Sequence, residues 1–217
     1  MIKTLDAADF QRWDDFVQTT ADATFFHLSS WKTVIERAFG HKTYFLYTEN
    51  AEGRISGILP LVHIKSALFS NTLVSMAFCV YGGIVADDEQ SYFALDKEAC
   101  RLAEELGVDC LEMRNRQRKA PDRPFKDLYV TFRKVLDPDV EKNMSAIPRK
   151  QRAMVRKGID AGLVSVIDSN VDRLYQAYSE SVRNLGTPVF SKKYFQILKE
   201  VFAEQCEILT VELNGQL

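Results

Sequence analysis

Cysteine and histidine are scarce in this 217-residue sequence, and neither forms a recognisable motif. Cys79, Cys100, Cys110 and Cys206 follow no CxxC spacing and mostly sit inside apolar runs, as small buried hydrophobes do. That pattern excludes a disulfide framework and a structural zinc site, and it fits a reducing compartment. His27, His41 and His63 have no local nucleophile motif beside them, and no G-x-S-x-G occurs. No covalent nucleophile is therefore assigned, and each imidazole is read as a satisfied or exposed side chain. Long uncharged runs are also lacking, since no stretch approaches the roughly 18 residues of a membrane span. The opening Met1-Ile2-Lys3-Thr4-Leu5-Asp6 has no basic region followed by an apolar core. The expected location is the cytoplasm.

A strong net charge is missing as well. A formal charge of -2 and a pI near 6.0 give no whole-surface attraction to nucleic acid or anionic membrane. Any polyanion has to be met by a local basic cluster. What is present is 46% hydrophobic and 27% charged residues, enough to bury a core in one large or two small domains.

Periodicity predicts an α/β chain. Residues 2 to 5 read as a short strand, with Asp9 capping a helix from Phe10 to Thr19 that turns Trp13, Phe16 and Val17 to one face. A second helix follows Ser29-Ser30, carries Trp31, Val34, Ile35 and Ala38 inward and stops at Gly40. Strands over 43–48 and 54–65 flank the turn-like Asn50-Ala51-Glu52-Gly53. Further strands are expected at 73–79, 108–114 and 128–135, with an amphipathic helix over 90–106. Tyr81-Gly82-Gly83 closes the first of these, either to let a ligand approach the backbone or to make a tight turn. Arg114, Asn115 and Arg116 end another, as lining of a cleft or as a polar exit from the sheet.

After Asp137-Pro138 the order of elements starts again. Asp137 is the expected N-cap with Pro138 in the first turn, and Pro148 opens another helix ending at Gly162. A strand over 164–167, helices over 171–185 and 192–203 and a strand over 206–213 follow. The echo suggests two related domains, 1–136 and 137–217. The last strand runs into Asn214-Gly215, a hairpin signal with only Gln216 and Leu217 after it. The expectation is a second domain cut short, whose unpaired last strand invites self-association through its edge.

The densest positive charge is Pro148-Arg149-Lys150-Gln151-Arg152-Ala153-Met154-Val155-Arg156-Lys157-Gly158. On a helix the five cations occupy one half, while Ile147, Met154, Val155 and Gly158 face the other, so Val155 is expected to be buried. A charge run of this kind is either a solvated face or an anion site. Arg149 and Lys150 fall in the first turn, where the macrodipole disfavours cations unless an anion binds there.

This run, followed by Ala161-Gly162-Leu163, resembles the basic helix of the FemAB family, whose pattern has the form K-x-R-x-x-[IV]-[RK]-[RK]-x and then glycine. Similar stretches run from Ala23 to Lys32, from Phe78 to Gly83 and from Ser181 to Phe190. The likeness spans the whole chain and leans toward the branch associated with exosortase and exopolysaccharide systems. It implies two domains of the GNAT acyltransferase fold and transfer of an aminoacyl group to a cell-envelope precursor. By that resemblance Lys150, Arg152, Arg156 and Lys157 face the anionic part of acceptor or donor, and Lys32 lies on the acceptor side. Arg114, Tyr81 and Gly82 complete the expected substrate-binding set. No bound cofactor is implied; the donor is aminoacyl-tRNA or acyl-CoA. The helical hairpin that some members insert for tRNA contact is missing, as is the R/Q-x-x-G-x-G/A loop that holds CoA pyrophosphate.

Three functions follow: an amide-forming transferase of FemAB type, a CoA-dependent N-acyltransferase, and a non-catalytic module binding RNA or an anionic glycan through the basic helix.

Overall fold

The computed structural model describes residues 2–66, 70–126 and 128–217, and the chain divides into two compact units, Met1–Ala120 and Pro121–Leu217. In the first unit a mixed sheet has the order β1 (Ile2–Thr4), β2 (Lys42–Glu49), β3 (Ile55–Lys65), β4 (Asn71–Ser75) and β6 (Cys110–Glu112), with the short β5 (Val85–Ala86) also on β3. All pairings are antiparallel except β4 with β6, which run parallel. That parallel pair is joined through α3 (Glu89–Leu106), the crossover such a pair requires.

Eight consecutive residues of β3, Ile55 to Val62, are buried, because both faces of the sheet are covered. On one face Leu46, Leu59, Leu61 and Leu73 pack with Leu95, Ala99 and Leu102 of α3. On the other, α1 (Phe10–Thr19) lays Trp13 against Phe45, ring centroids 5.5 Å apart, and α2 (Ser30–Phe39) contributes Val34 and Ile35. Alternation along β2 sends Phe45 to one layer and Leu46 to the other. Full burial of each such side chain contributes about 1.5–3 kcal/mol.

Helix ends follow local chemistry. Gly40 and Gly107 take φ of +70° and +58° after α2 and α3, which a residue with a Cβ resists. Asp88 caps α3 by accepting from Ser91 N at 2.7 Å. Asp9 occupies the N-cap position of α1 as expected but makes no side-chain capping bond: it also closes a 3-10 turn (Ala7–Asp9) that Asp6 caps, and its carboxylate binds Arg12 and Tyr47.

The second unit holds α4 (Val140–Ala146), α5 (Arg149–Asp160), β7 (Val164–Asp168), α6 (Asp172–Asn184), α7 (Lys192–Phe202) and β8 (Ile208–Glu212). The β7 and β8 strands pair antiparallel, Val166 opposite Thr210, and form a sheet of two. Arg173 on α6 clamps the pair through Asp168 and Glu212. Beyond β8, Asn214 and Gly215 turn with φ of +54° and +74°, and Leu213 bridges Gln216. Among the described residues β8 pairs with β7, which lies two helices earlier.

Two expectations about single elements are corrected. The segment 128–135 is not a strand: Tyr129, Phe132 and Val135 are exposed, and the segment joins no ladder among the described residues. β-Propensity alone does not make a strand where no neighbour takes its backbone groups. Finally, α4 is capped by Asp139, which accepts from Glu141 N at 2.9 Å, while Asp137 accepts from Asp139 N.

Candidate functional site

Arg114 leaves the sheet at the carboxyl end of the parallel pair, the end at which open α/β sheets place ligands. Its backbone N–H donates to Ser75 Oγ at 2.7 Å, which ties β6 to the end of β4. Its carbonyl accepts from both Gly82 N, at 3.2 Å, and Gly83 N, at 3.1 Å. Neither glycine has a positive φ, so neither serves a turn. The turn lies earlier, where Met76 and Phe78 take φ of +50° and +66°. The two glycines permit close packing within the chain: a Cβ on Gly82 would lie 2.0 Å from Met76 Cβ, and one on Gly83 would lie 1.9 Å from Asn115 Oδ1. The tight-turn reading of Tyr81-Gly82-Gly83 gives way to this packing role. The Tyr81 ring lies beside Phe26, with centroids 6.4 Å apart.

Around this junction opens a small cleft of about 30 Å³, lined by His27, Gly83, Asn115, Asp22, Arg114, Arg116 and Lys119 among others. His27 is buried and doubly bound. Its Nδ1 accepts from Thr24 N at 3.1 Å, so Nε2 carries the proton and donates to Gly83 O at 3.0 Å. Burial holds its pKa below the ordinary histidine range, partly opposed by these bonds. His27 is thus the satisfied imidazole expected from the sequence. Asn115 Oδ1 is buried without a hydrogen-bond partner among the described residues and is packed against Gly83. Asn115 and Arg116, for which cleft lining was one of the two readings, border it together with Arg114, whereas Asp22 and Lys119 carried no signal in the sequence.

Lys32 stands apart from the cleft. Its Nζ donates to Glu36 Oε1 at 2.5 Å and to Thr43 Oγ1 at 2.7 Å, and only 20% of its side chain is exposed. In this arrangement it joins α2 to β2.

The remaining expected residues lie together on α5 in the second unit. Lys150, Arg156 and Lys157 are exposed, and Arg152 is half-buried with Nε donating to Ile147 O at 3.3 Å. Pro148 is the N-cap residue and Arg149 the first helical one, so the cations do occupy the first turn. The expected burial of Val155 is not found: it is 40% exposed and Met154 62%. Charge segregates on this helix as predicted, but no neighbouring layer covers its apolar half among the described residues.

Among the described residues no helix is long and apolar enough to cross a membrane. No protein-family model matches the sequence, and no curated protein does. Eight chains of solved structures match the fold. One is the crystal structure of FemX, with a TM-score of 0.67 and 14% sequence identity, covering 98% of this chain. The fold is therefore the mixed α/β, GNAT-like architecture expected from the sequence, in the form FemX takes. The chain spans 58% of the length of FemX.

Proposed function

We propose that this chain belongs to a FemAB-type transferase that forms an amide bond by moving an aminoacyl or acyl group onto an amine of a cell-envelope or exopolysaccharide precursor in the cytoplasm. The observation that carries the reading is the FemX-like fold across nearly the whole chain. The order of FemAB-like sequence stretches supports it independently of the backbone.

Such a transfer needs a neutral amine, a polarised acyl carbonyl and both groups held within reach. The donor, aminoacyl-tRNA or acyl-CoA, and the precursor both carry phosphate, and the exposed cations of α5 suit that chemistry. Their role is positioning. The test is mass-spectrometric detection of an acylated product when the protein is incubated with amine-bearing envelope precursors and each donor in turn. Product from one donor supports the reading and selects that donor. RNA binding that falls steeply with salt, with no product from either donor, replaces it with a non-catalytic module.

A further inference from the structure

The cleft of the first unit gathers cations above a neutral floor. Arg114, Arg116 and Lys119 line it, against the single carboxylate of Asp22. The Arg114 guanidinium is fixed from behind, with Nε donating to Glu112 at 2.7 Å and Nη1 to the Cys79 carbonyl at 2.5 Å. Its Nη2 has no partner among the described residues. Arg116 is held by long contacts, with Nη1 at 3.3 Å from the carbonyls of Ala21 and Asp22 and at 3.9 Å from the Asp22 carboxylate. Lys119 forms no ion pair among the described residues. His27, beneath them, already uses both ring nitrogens and adds no charge.

Arginines satisfy their strongest bonding capacity with paired, charge-assisted bonds to carboxylate or phosphate oxygens. Here two guanidiniums are pre-oriented by backbone carbonyls and a flanking glutamate, while their remaining N–H groups and a third cation border the same cleft. Holding the forks in place beforehand lowers the ordering cost of binding. We propose that this cleft binds a compact anionic group, a carboxylate or a phosphate, through Arg114, Arg116 and Lys119. Its lining comes from the first unit alone, and it does not rest on the transferase reading.

The test follows the backbone amides of the 217-residue protein by NMR during titration with inorganic phosphate and, separately, with N-acetylglycine. The expected result is a saturable shift at Gly83 and across 114–119, weakened by added salt; the tighter of the two probes tells phosphate from carboxylate. R116Q combined with K119Q lowers the affinity about tenfold or more, and K119Q alone, at an exposed side chain, lowers it in the same direction with an unchanged melting temperature. K150Q combined with R152Q leaves it unaltered. No saturable shift from either probe overturns the proposal. So does an affinity that K119Q leaves unchanged, or one that the α5 variants abolish.

Discussion

The imidazole of His27 joins two separate stretches of the first unit: Nδ1 accepts from the Thr24 backbone and Nε2 donates to the Gly83 carbonyl at 3.0 Å. Its own carbonyl accepts from Trp13 Nε1 at 2.6 Å, which links the same turn to α1. Replacing His27 by Ala leaves the buried Gly83 carbonyl and the half-buried Thr24 N–H without these partners, so the expected loss is about 2–3 kcal/mol of unfolding free energy. Urea denaturation followed by tryptophan fluorescence reads it. A loss under about 0.5 kcal/mol would mean that water replaces the ring without cost.

Stability should also fall on mild acidification. His27 has a depressed pKa chiefly from burial, and His41 does too, from burial and the charge of His63. Below the ordinary histidine value of 6.5 the unfolded chain takes up protons that the folded chain still refuses, so unfolding is favoured as pH drops. Above that value neither state binds them and this contribution is level. Asp9 and Glu49, whose pKa values are lowered first by hydrogen bonds from Arg12 and Lys3 respectively, add a separate loss at lower pH. Urea midpoints at about pH 7.5 and about pH 5.5 should differ, and His27→Gln should narrow the difference. An unaltered gap in that variant would move the effect elsewhere.

Two glycines should prove intolerant where a third welcomes a side chain. Gly82→Ala drives a Cβ into Met76, and Gly83→Ala meets Asn115 down to its Cα at 2.9 Å, so each should cost about 3 kcal/mol. Gly158, inside α5, faces only the flexible end of Leu163 at 3.1 Å. Gly158→Ala should gain about 0.5–1 kcal/mol from helix propensity. Thermal melts of the three variants settle the order; equal effects at Gly82 and Gly158 would contradict the packing.

Most of the element order was legible because local signals and burial agree there. Trp13, Phe16 and Val17 share a face by helical spacing and are all buried, and Gly40 stops α2 where its positive φ is needed. The signals failed where a neighbour decides the outcome. Val155 has a buried residue's spacing but no covering layer, and 128–135 has a strand's composition but no partner among the described residues. The cleft was only half visible. Arg114 stood out by its charge after a strand, whereas Gly83, His27 and Asp22 meet it only through chain reversals that no local pattern encodes.

The two faces of the β7–β8 sheet should respond oppositely to substitution. Along β8, Ile208 and Thr210 are buried while Leu209 and Val211 point outward, 59% and 48% exposed. Thr210 donates to Asp168 at 2.8 Å, and Arg173 closes the same side through Asp168 and Glu212, so the register is fixed by polar bonds as well as by packing. Ile208→Ala removes buried methyl groups and should cost about 2–4 kcal/mol. Leu209→Lys places a charge in water and should stay within about 0.5 kcal/mol. Hydrogen exchange at the Val166 and Thr210 amides reports this sheet directly. If Leu209→Lys speeds that exchange more than Ile208→Ala does, then β8 is slipped by one residue from the pairing of Val166 with Thr210, because a single-residue slip exchanges the two faces.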